Sequence, residues 1–282
     1  MNLLLPLAAT ILQAASAVVD KIILSKRKLS YETYMAYSFP MVFVVNALLL
    51  ILFSPPLGVG LFTNATILLL AIDLVIIVGA NVFYYKLLGK ESLSETYTIG
   101  LLSNIPSVLV VGLFFISERS PLTLILALVS VGVLVAAHYK KGRLSVSKKE
   151  AVYAAWSLIV LPFGAVISKQ FLFTWNPISL EFVRGGLVMM VMLFFYIRYL
   201  KMVDYKTMLL LIATNAVSTV GWIYYFFSYQ QSGVVFTILV LSLQPLLVYF
   251  ASVFLLKEKF EVKKFIAFCI IVSSIVVAEV IK

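Results

Sequence analysis

Ten apolar stretches of roughly 20 residues divide this chain, and short polar gaps separate them. An apolar helix of that length crosses the hydrocarbon core of a bilayer, which is roughly 30 Å thick. Backbone polar groups in that core must be paired internally, so only helices and closed barrels span it. With 63% hydrophobic residues and a mean hydropathy of +1.09, the sequence predicts an all-α integral membrane protein. Ten transmembrane helices are expected near residues 3–24, 31–53, 64–88, 93–116, 121–138, 150–171, 178–198, 206–229, 233–256 and 263–281.

Basic residues collect in every second gap between these stretches. The odd-numbered gaps and their edges hold most of the 22 Lys and Arg residues, whereas the even-numbered gaps hold only Arg119. Because short cytoplasmic loops are enriched in Lys and Arg, we expect a multi-pass protein of the cell membrane. Its basic loops are expected in the cytoplasm and both termini outside. These loops account for the net charge of +10, and some of their basic residues are expected to contact membrane lipids, so nucleic-acid binding is not expected.

The two sides of a polar linker, residues 139–150, share polar and aromatic positions in the same order. Each side holds five apolar stretches, an odd number, so the second copy enters the membrane from the opposite side. The sequence therefore predicts two inverted five-helix repeats, residues 1–143 and 144–282. Such a pair has two conformations, one open to each side; alternatively, duplication merely built a large helical bundle. The matched positions are Lys21 with Lys169, Ser30 with Ser179, Glu32 with Glu181, Tyr84 and Tyr85 with Tyr224 and Tyr225, Thr98 with Thr237, Ser103 with Ser242, Pro106 with Pro245, and Glu118 with Glu258.

The most specific motif runs from Thr237 to Glu258. It has a proline in the ninth span, a Leu-Lys-Glu sequence at the end of that span, and an amphipathic tenth span after it. Residues 98–118 repeat it in the first half. This motif, the chain length and the five-plus-five arrangement resemble the EamA type of the drug/metabolite transporter superfamily. The resemblance implies a secondary transporter or exporter of small metabolites, with a cavity lined mainly by spans 1, 3, 4, 6, 8 and 9. Family members usually have cytoplasmic termini, so the orientation expected from the charges departs from the family.

Pro106 and Pro245 lie at matching positions, predicted to be in the middle of spans 4 and 9. A proline inside a helix removes a backbone donor and clashes with the carbonyl four residues earlier. Paired interruptions in the two halves of a transporter indicate a binding site near the midplane. Asn104 and Gln244 then offer amide donors and acceptors to a ligand. The alternative is a packing kink, since proline is common in transmembrane helices.

Asp73 is the one carboxylate that the sequence places deep in a span, about nine residues or roughly 14 Å from the outer end. An ionised aspartate at that depth costs about 2.5–3.5 kcal/mol on insertion scales. We expect Asp73 to face a cavity, where it binds a cationic group or carries a proton coupled to the substrate. The alternative is a neutral acid that is hydrogen-bonded to a neighbouring helix.

Two further polar positions are candidates for binding. Gln13 lies in a segment similar to the first span of the small multidrug resistance family, which has a proton-exchanging glutamate there. An amide does not titrate, so Gln13 is expected to bind a substrate by hydrogen bonds or to make a structural contact between helices. Arg184 matches an arginine that is common in the seventh span of the EamA type. It either binds a carboxylate or phosphate, or pairs with Glu181 at i,i+3 near the outer interface.

Aromatic residues make up 14% of the chain, and several lie in spans 3 and 8, which the resemblance places beside the cavity. Tyr84, Trp222 and Tyr225 are candidates for contact with aromatic amino acids or quaternary ammonium groups through cation–π interactions. The alternative is the belt of Trp and Tyr at the membrane interfaces. Asn81 completes the predicted substrate-binding residues.

A secondary transporter that works by alternating access is the predicted function. The expected substrate is a small polar metabolite, either an amino acid or an organic cation. A channel, a lipid scramblase or flippase and an intramembrane enzyme are the alternatives. With one His and one Cys the chain has no predicted catalytic or metal site, and no cofactor is expected. A monomer is expected, and a homodimer is the alternative.

Overall fold

The computed structural model describes residues 3–89, 103–138, 148–256, 260 and 262–280, and these ranges contain helices and no strand. Seven helical segments in them are long and apolar enough to cross a membrane, and residues 104–114 and 121–133 form shorter apolar helices. The chain is therefore an all-helical protein with several candidate membrane spans. The helices are α1 (Leu4–Lys21), α2 (Tyr31–Phe53), α3 (Asn64–Leu88), α4 (Asn104–Phe114), α5 (Pro121–His138), α6 (Lys148–Ile159), α7 (Leu161–Phe171), α8 (Pro177–Tyr196), α9 (Tyr205–Gln231), α10 (Val234–Leu241), α11 (Gln244–Leu256) and α12 (Val262–Val280).

Wherever the structure describes the ten predicted stretches, it places helix within them. Part of the fourth stretch, residues 93–102, lies outside the described residues, and so do Thr98, Glu258 and linker residues 139–147. The sixth stretch is divided at Val160 into α6 and α7, and the ninth is divided between α10 and α11. The count of ten spans stays a prediction.

Helices α2 and α9 begin directly after a polar residue that caps their first turn. Ser30 precedes α2, and its hydroxyl accepts the backbone N–H of Thr33 at 3.3 Å. Asp204 precedes α9, and its carboxylate accepts the backbone N–H and the hydroxyl of Thr207. These hydrogen bonds lower the pKa of the Asp204 carboxyl below its ordinary value. Capping of this kind satisfies backbone donors that have no partner inside the helix.

The interruption of the ninth stretch lies just before Pro245. Helix α10 ends at Leu241, Ser242 and Leu243 form a turn, and Pro245 occupies the first turn of α11. Because proline has no N–H, Pro245 has no hydrogen to donate to the carbonyl of Leu241. Pro106 likewise lies in the first turn of α4. Both prolines thus follow a helix start, and neither lies in the middle of a continuous helix.

The closest helix packing joins the two halves of the chain. Helix α1 packs along α9 and α11, α2 along α8, α4 along α7, and α5 along α12. The apolar core lies between them, with Trp175, Phe226, Tyr229 and Phe236 almost fully buried. Large apolar side chains such as Ile51 and Phe194 are exposed on the outer surface, where a bilayer would cover them.

Candidate functional site

A cavity of about 410 Å³ lies inside the helical bundle, and side chains from both halves line it. Its lining comes from α1 to α4 and from α6 to α11. Compared with the spans that the resemblance implied, the cavity also has walls from spans 2 and 7. The second span contributes Ser38, Phe39 and Val42, and the seventh contributes Glu181, Arg184, Gly185 and Val188.

The structure brings the nine residues predicted to bind substrate into contact with this one cavity. They lie far apart in the sequence and on six of the predicted spans. The two prolines are not among the lining residues; each lies one or two positions after an amide that is. The nine residues are Gln13, Asp73, Asn81, Tyr84, Asn104, Arg184, Trp222, Tyr225 and Gln244.

At one level of the cavity, Arg184 lies between two carboxylates, and we call these three residues the Arg184 cluster. Its Nε atom is 2.8 Å from Oδ2 of Asp73, and its Nη1 atom is 3.5 Å from Oε1 of Glu181. The guanidinium also lies 4.8 Å from the ring centre of Phe226. The expected pair with Glu181 is therefore the longer of two contacts. Sequence spacing could not reveal the shorter one, because Asp73 is 111 residues away.

At a second level a carboxylate appears that the sequence analysis did not single out. Asp20 is only 5% exposed and lines the cavity. Its Oδ1 atom accepts the hydroxyl of Tyr34 at 2.6 Å and the hydroxyl of Thr214 at 2.7 Å. We call Asp20, Tyr34 and Thr214 the Asp20 cluster. Asp20 was overlooked because it directly precedes Lys21 near the end of the first stretch, where charged residues usually face the interface.

The two clusters lie well apart along the bundle. Thr214 contacts Asp20, and Phe226 contacts Arg184, and both residues are on α9. Twelve residues separate them, which corresponds to about 18 Å along a helix. The cavity therefore presents acidic groups at two separate depths.

Several uncharged candidates have hydrogen-bond partners in the backbone or in other side chains. The amide of Gln13 donates to the carbonyl of Ser218 at 3.1 Å, and the amide of Asn81 donates to the carbonyl of Ile77 at 2.8 Å. The hydroxyl of Tyr225 is hydrogen-bonded to that of Tyr229. These hydrogen bonds orient the three side chains at the cavity wall.

A third charged group lies where the fourth, sixth and ninth spans meet; it consists of Glu118, Lys169 and the first residues of α10, and we call it the Glu118 cluster. Glu118 accepts the backbone N–H groups of Val234 and Val235 at 3.0 and 3.1 Å, at the start of α10. Lys169 lies 3.1 Å from the same carboxylate and donates to the carbonyl of Tyr229 at 2.9 Å. The carboxylate thus joins the end of the fourth span to the sixth and ninth spans. Gly233 precedes α10 with a φ of +88°.

Comparison with known proteins agrees with this architecture. Residues 148–279 match the profile of the EamA-like transporter family, which belongs to the drug/metabolite transporter superfamily, and the resemblance seen in the sequence is thereby confirmed. A solved structure described only as "Crystal structure of protein" is similar over 99% of this chain and 96% of its own, with a TM-score of 0.72 and 17% identity. At that identity the likeness shows the fold alone. No curated protein matches the chain.

Proposed function

Because residues 148–279 match the EamA-like transporter family, we propose that the chain is a secondary transporter of a small polar metabolite. The proposed substrate is an amino acid or an organic cation, and the proposed mechanism is alternating access. The observation that carries this proposal is the cavity, which has residues from both halves on its walls and buried acids at two depths.

The proposed architecture has ten spans in two inverted repeats, residues 1–143 and 144–282. Matched contacts in the two halves support it. Lys21, at the end of the first span, donates to the carbonyl of Leu88 at the end of the third, over 2.8 Å. Lys169, its counterpart in the sixth span, donates to the carbonyl of Tyr229 at the end of the eighth, over 2.9 Å. Two copies of one fold give equivalent residues equivalent partners.

The turns before the two prolines support the same repeat. Ser103 precedes α4 as a turn residue, and its counterpart Ser242 precedes α11 in the same conformation. Helix α4 begins at Asn104 and α11 at Gln244, so an amide opens the helix after each turn. Both amides line the cavity. We propose that these two helix starts hold the substrate near the middle of the membrane.

Alternating access requires that each end of the cavity opens in turn. The Glu118 cluster is the described contact that such a movement would break, because it joins spans 4, 6 and 9 at one end. In the orientation proposed from the charges, with basic loops in the cytoplasm and both termini outside, this end faces outward. We propose that the Glu118 cluster forms when the outer side is closed and separates when that side opens.

The charges on the cavity wall favour a substrate with a positive group. The described lining contains three carboxylates, those of Asp20, Asp73 and Glu181, and one cation, Arg184, so the carboxylates outnumber the cation. Carboxylates on the wall of a buried site repel a polyanion, because charges of the same sign repel each other at short range. A zwitterion or an organic cation fits this wall better.

Counterflow in proteoliposomes tests the proposed function. Vesicles are loaded with one unlabelled compound from a panel of amino acids and amines, and the labelled compound is added outside. A carrier saturates and draws the label transiently above its external concentration, because each return of a loaded cavity brings label inward. A channel or a scramblase shows neither behaviour, so passive, non-saturating entry with every compound would reject the proposal.

The proposed location is the cell membrane, with the protein acting as a monomer. A peptide tag at either terminus is expected to react with an impermeant probe added to intact cells. The same tag placed in the basic linker at residues 139–147 is the internal control, and we expect it to stay unlabelled. Reversed labelling would overturn the orientation and leave the transport proposal standing.

A further inference from the structure

We propose that the Asp20 cluster is a subsite for the primary ammonium group of the transported molecule. This inference rests on the proposed function, since it requires a substrate to enter the cavity. It names the residue that meets the positive group, and that residue is not the Asp73 predicted from the sequence.

The two oxygens of Asp20 are not used equally. Tyr34 and Thr214 both donate to Oδ1, at 2.6 and 2.7 Å. Within the described part of the chain, Oδ2 has no hydrogen-bond partner, while Asp20 itself lines the cavity. A carboxylate oxygen has two lone pairs, and an ammonium group carries three donors. The two hydroxyls therefore hold the carboxylate in place and leave one oxygen for a ligand.

No cation among the described residues pairs with Asp20. Its two partners are neutral hydroxyls, and the side chain of the adjacent Lys21 is bonded to the carbonyl of Leu88. A buried carboxylate that lacks a counter-ion is costly, and pairing with a cation reduces that cost. A ligand that brings its own positive charge supplies the missing partner.

Aromatic rings surround the same end of the cavity. The ring centres of Tyr34 and Tyr85 are 4.7 Å apart, and those of Tyr85 and Tyr84 are 5.0 Å apart. The ring of Tyr153 lies 6.5 Å from that of Tyr84. Tyr84, Tyr85 and Tyr153 line the cavity. Tyrosine faces attract cations, and their edges pack against the apolar carbon atoms next to an ammonium group. The combination of a carboxylate with several tyrosines is suited to an organic amine.

Asp73 differs from Asp20 because its carboxylate already has a cationic partner within the protein. Its carboxylate is only 1% exposed and lies 2.8 Å from the Nε atom of Arg184. That guanidinium is a fixed cation which the protein itself supplies. A substrate ammonium group at Asp73 would have to compete with Arg184, whereas at Asp20 it meets no rival in the described structure.

Direct binding to the purified full-length protein in detergent tests this inference. The probes are butylammonium and 2-phenylethylammonium, each compared with the alcohol of the same carbon skeleton. We expect both amines to bind and to raise the melting temperature, and we expect the alcohols to do neither. Equal binding of amine and alcohol would overturn the inference, because the carboxylate would then not be recognising charge.

The variant Asp20→Asn keeps an oxygen that accepts from both hydroxyls and removes the charge. We expect it to raise the Kd of the amines by about tenfold or more, since charge-assisted hydrogen bonds are about twice as strong as neutral ones. The matched control is Asp204→Asn, the same chemical change at an exposed helix cap, where Asn caps as well as Asp. That control is expected to bind like the wild type, and equal Kd values in all three proteins would overturn the inference.

A second variant covers the case in which Asp20→Asn does not fold. Thr214→Val removes one hydroxyl that orients the carboxylate and keeps the charge and the side-chain shape. We expect it to weaken amine binding about threefold, and we expect the alcohols to remain without detectable binding. Because these assays involve no flux, their failure is separate from that of the proposed function. Counterflow without amine binding at Asp20 would reject only this inference, and amine binding without counterflow would reject only transport.

Discussion

The two buried acids of the cavity, Asp20 and Asp73, differ in the kind of side chain that contacts them. Asp73 is held by Arg184, a cation on a neighbouring helix, at 2.8 Å. Asp20 is held by two hydroxyls on one of its oxygens. A carboxylate that is paired within the protein fixes two helices together, while a carboxylate that is oriented but unpaired is prepared to bind. We infer that the Arg184 cluster stabilises the bundle and the Asp20 cluster recognises the ligand.

The largest expected effect comes from removing the cation of the Arg184 cluster. Arg184→Gln leaves the buried Asp73 and the partly buried Glu181 without their partner, and breaking a buried pair in this way costs about 3–5 kcal/mol. Thermal unfolding in detergent measures the loss. The control Arg198→Gln removes an exposed arginine and is expected to change little. If both variants have the same melting temperature as the wild type, the Arg184 cluster does not stabilise the fold.

Neutralising the two acids in turn compares their roles directly. Asp73→Asn is expected to lower the free energy of unfolding by about 2–3 kcal/mol, because Arg184 loses its nearest carboxylate. Asp20→Asn is expected to change it by less than about 1 kcal/mol, since an amide oxygen accepts both hydroxyls. Unfolding curves of the two variants, recorded under the same conditions, measure the difference. Equal destabilisation would remove the distinction between the two acids.

The Glu118 cluster resembles the Arg184 cluster, since the protein itself satisfies its carboxylate. A Cβ atom at Gly233 would lie 2.8 Å from Oε2 of Glu118, and the φ of +88° is one that side chains rarely adopt. Gly233→Ala is therefore expected to destabilise the protein by about 1–3 kcal/mol. Its matched control is Gly132→Ala, where the new methyl group meets open space inside a helix and is expected to be neutral or stabilising.

For these glycine variants the measurements are the melting temperature and the labelling of the outer end by an impermeant reagent. Gly233→Ala is expected to lower the melting temperature and to increase the labelling. A protein that melts at a lower temperature without any increase in labelling would mean that the Glu118 cluster only supports the fold.

The smallest expected effect concerns Asn46, beside Gly185 at the level of the Arg184 cluster. Its amide is fully buried, and neither polar atom has a partner in the described part of the chain. Asn46→Leu is expected to stabilise the protein by about 1 kcal/mol, because an unsatisfied buried amide is removed. Asn215→Leu is the control, since that amide donates to Ser38 and to the carbonyl of Leu211. We expect the control to destabilise; the opposite order of melting temperatures would contradict the prediction.

The sequence reveals most of the fold because membrane helices obey a simple length and hydropathy rule. Helices α2 and α3 begin and end at the predicted residues 31–53 and 64–88. The break in the ninth span also has a local cause in Pro245. What could not be predicted is its position, since the missing hydrogen bond ends α10 four residues before the proline.

The candidate site is predictable only in part. An amide or acid such as Gln13 or Asp73 is conspicuous in an apolar span. The free-energy cost of placing a polar group in the bilayer core therefore marks it as a candidate. The pairing of Asp73 with Arg184 is a tertiary contact that local spacing does not encode. The surroundings of Asp20 are also tertiary, because Tyr34 and Thr214 reach it only after α1, α2 and α9 have packed together.

Counterflow of 2-phenylethylammonium tests the central claim most directly, because it requires both a carrier and a cation-binding acid. The assay compares liposomes that contain the wild type, Asp20→Asn or Asp204→Asn, loaded with the unlabelled amine. We expect label to accumulate transiently with the wild type and with Asp204→Asn, and we expect Asp20→Asn to show little accumulation. Accumulation that is the same in all three proteins, or absent in all three, would contradict the account.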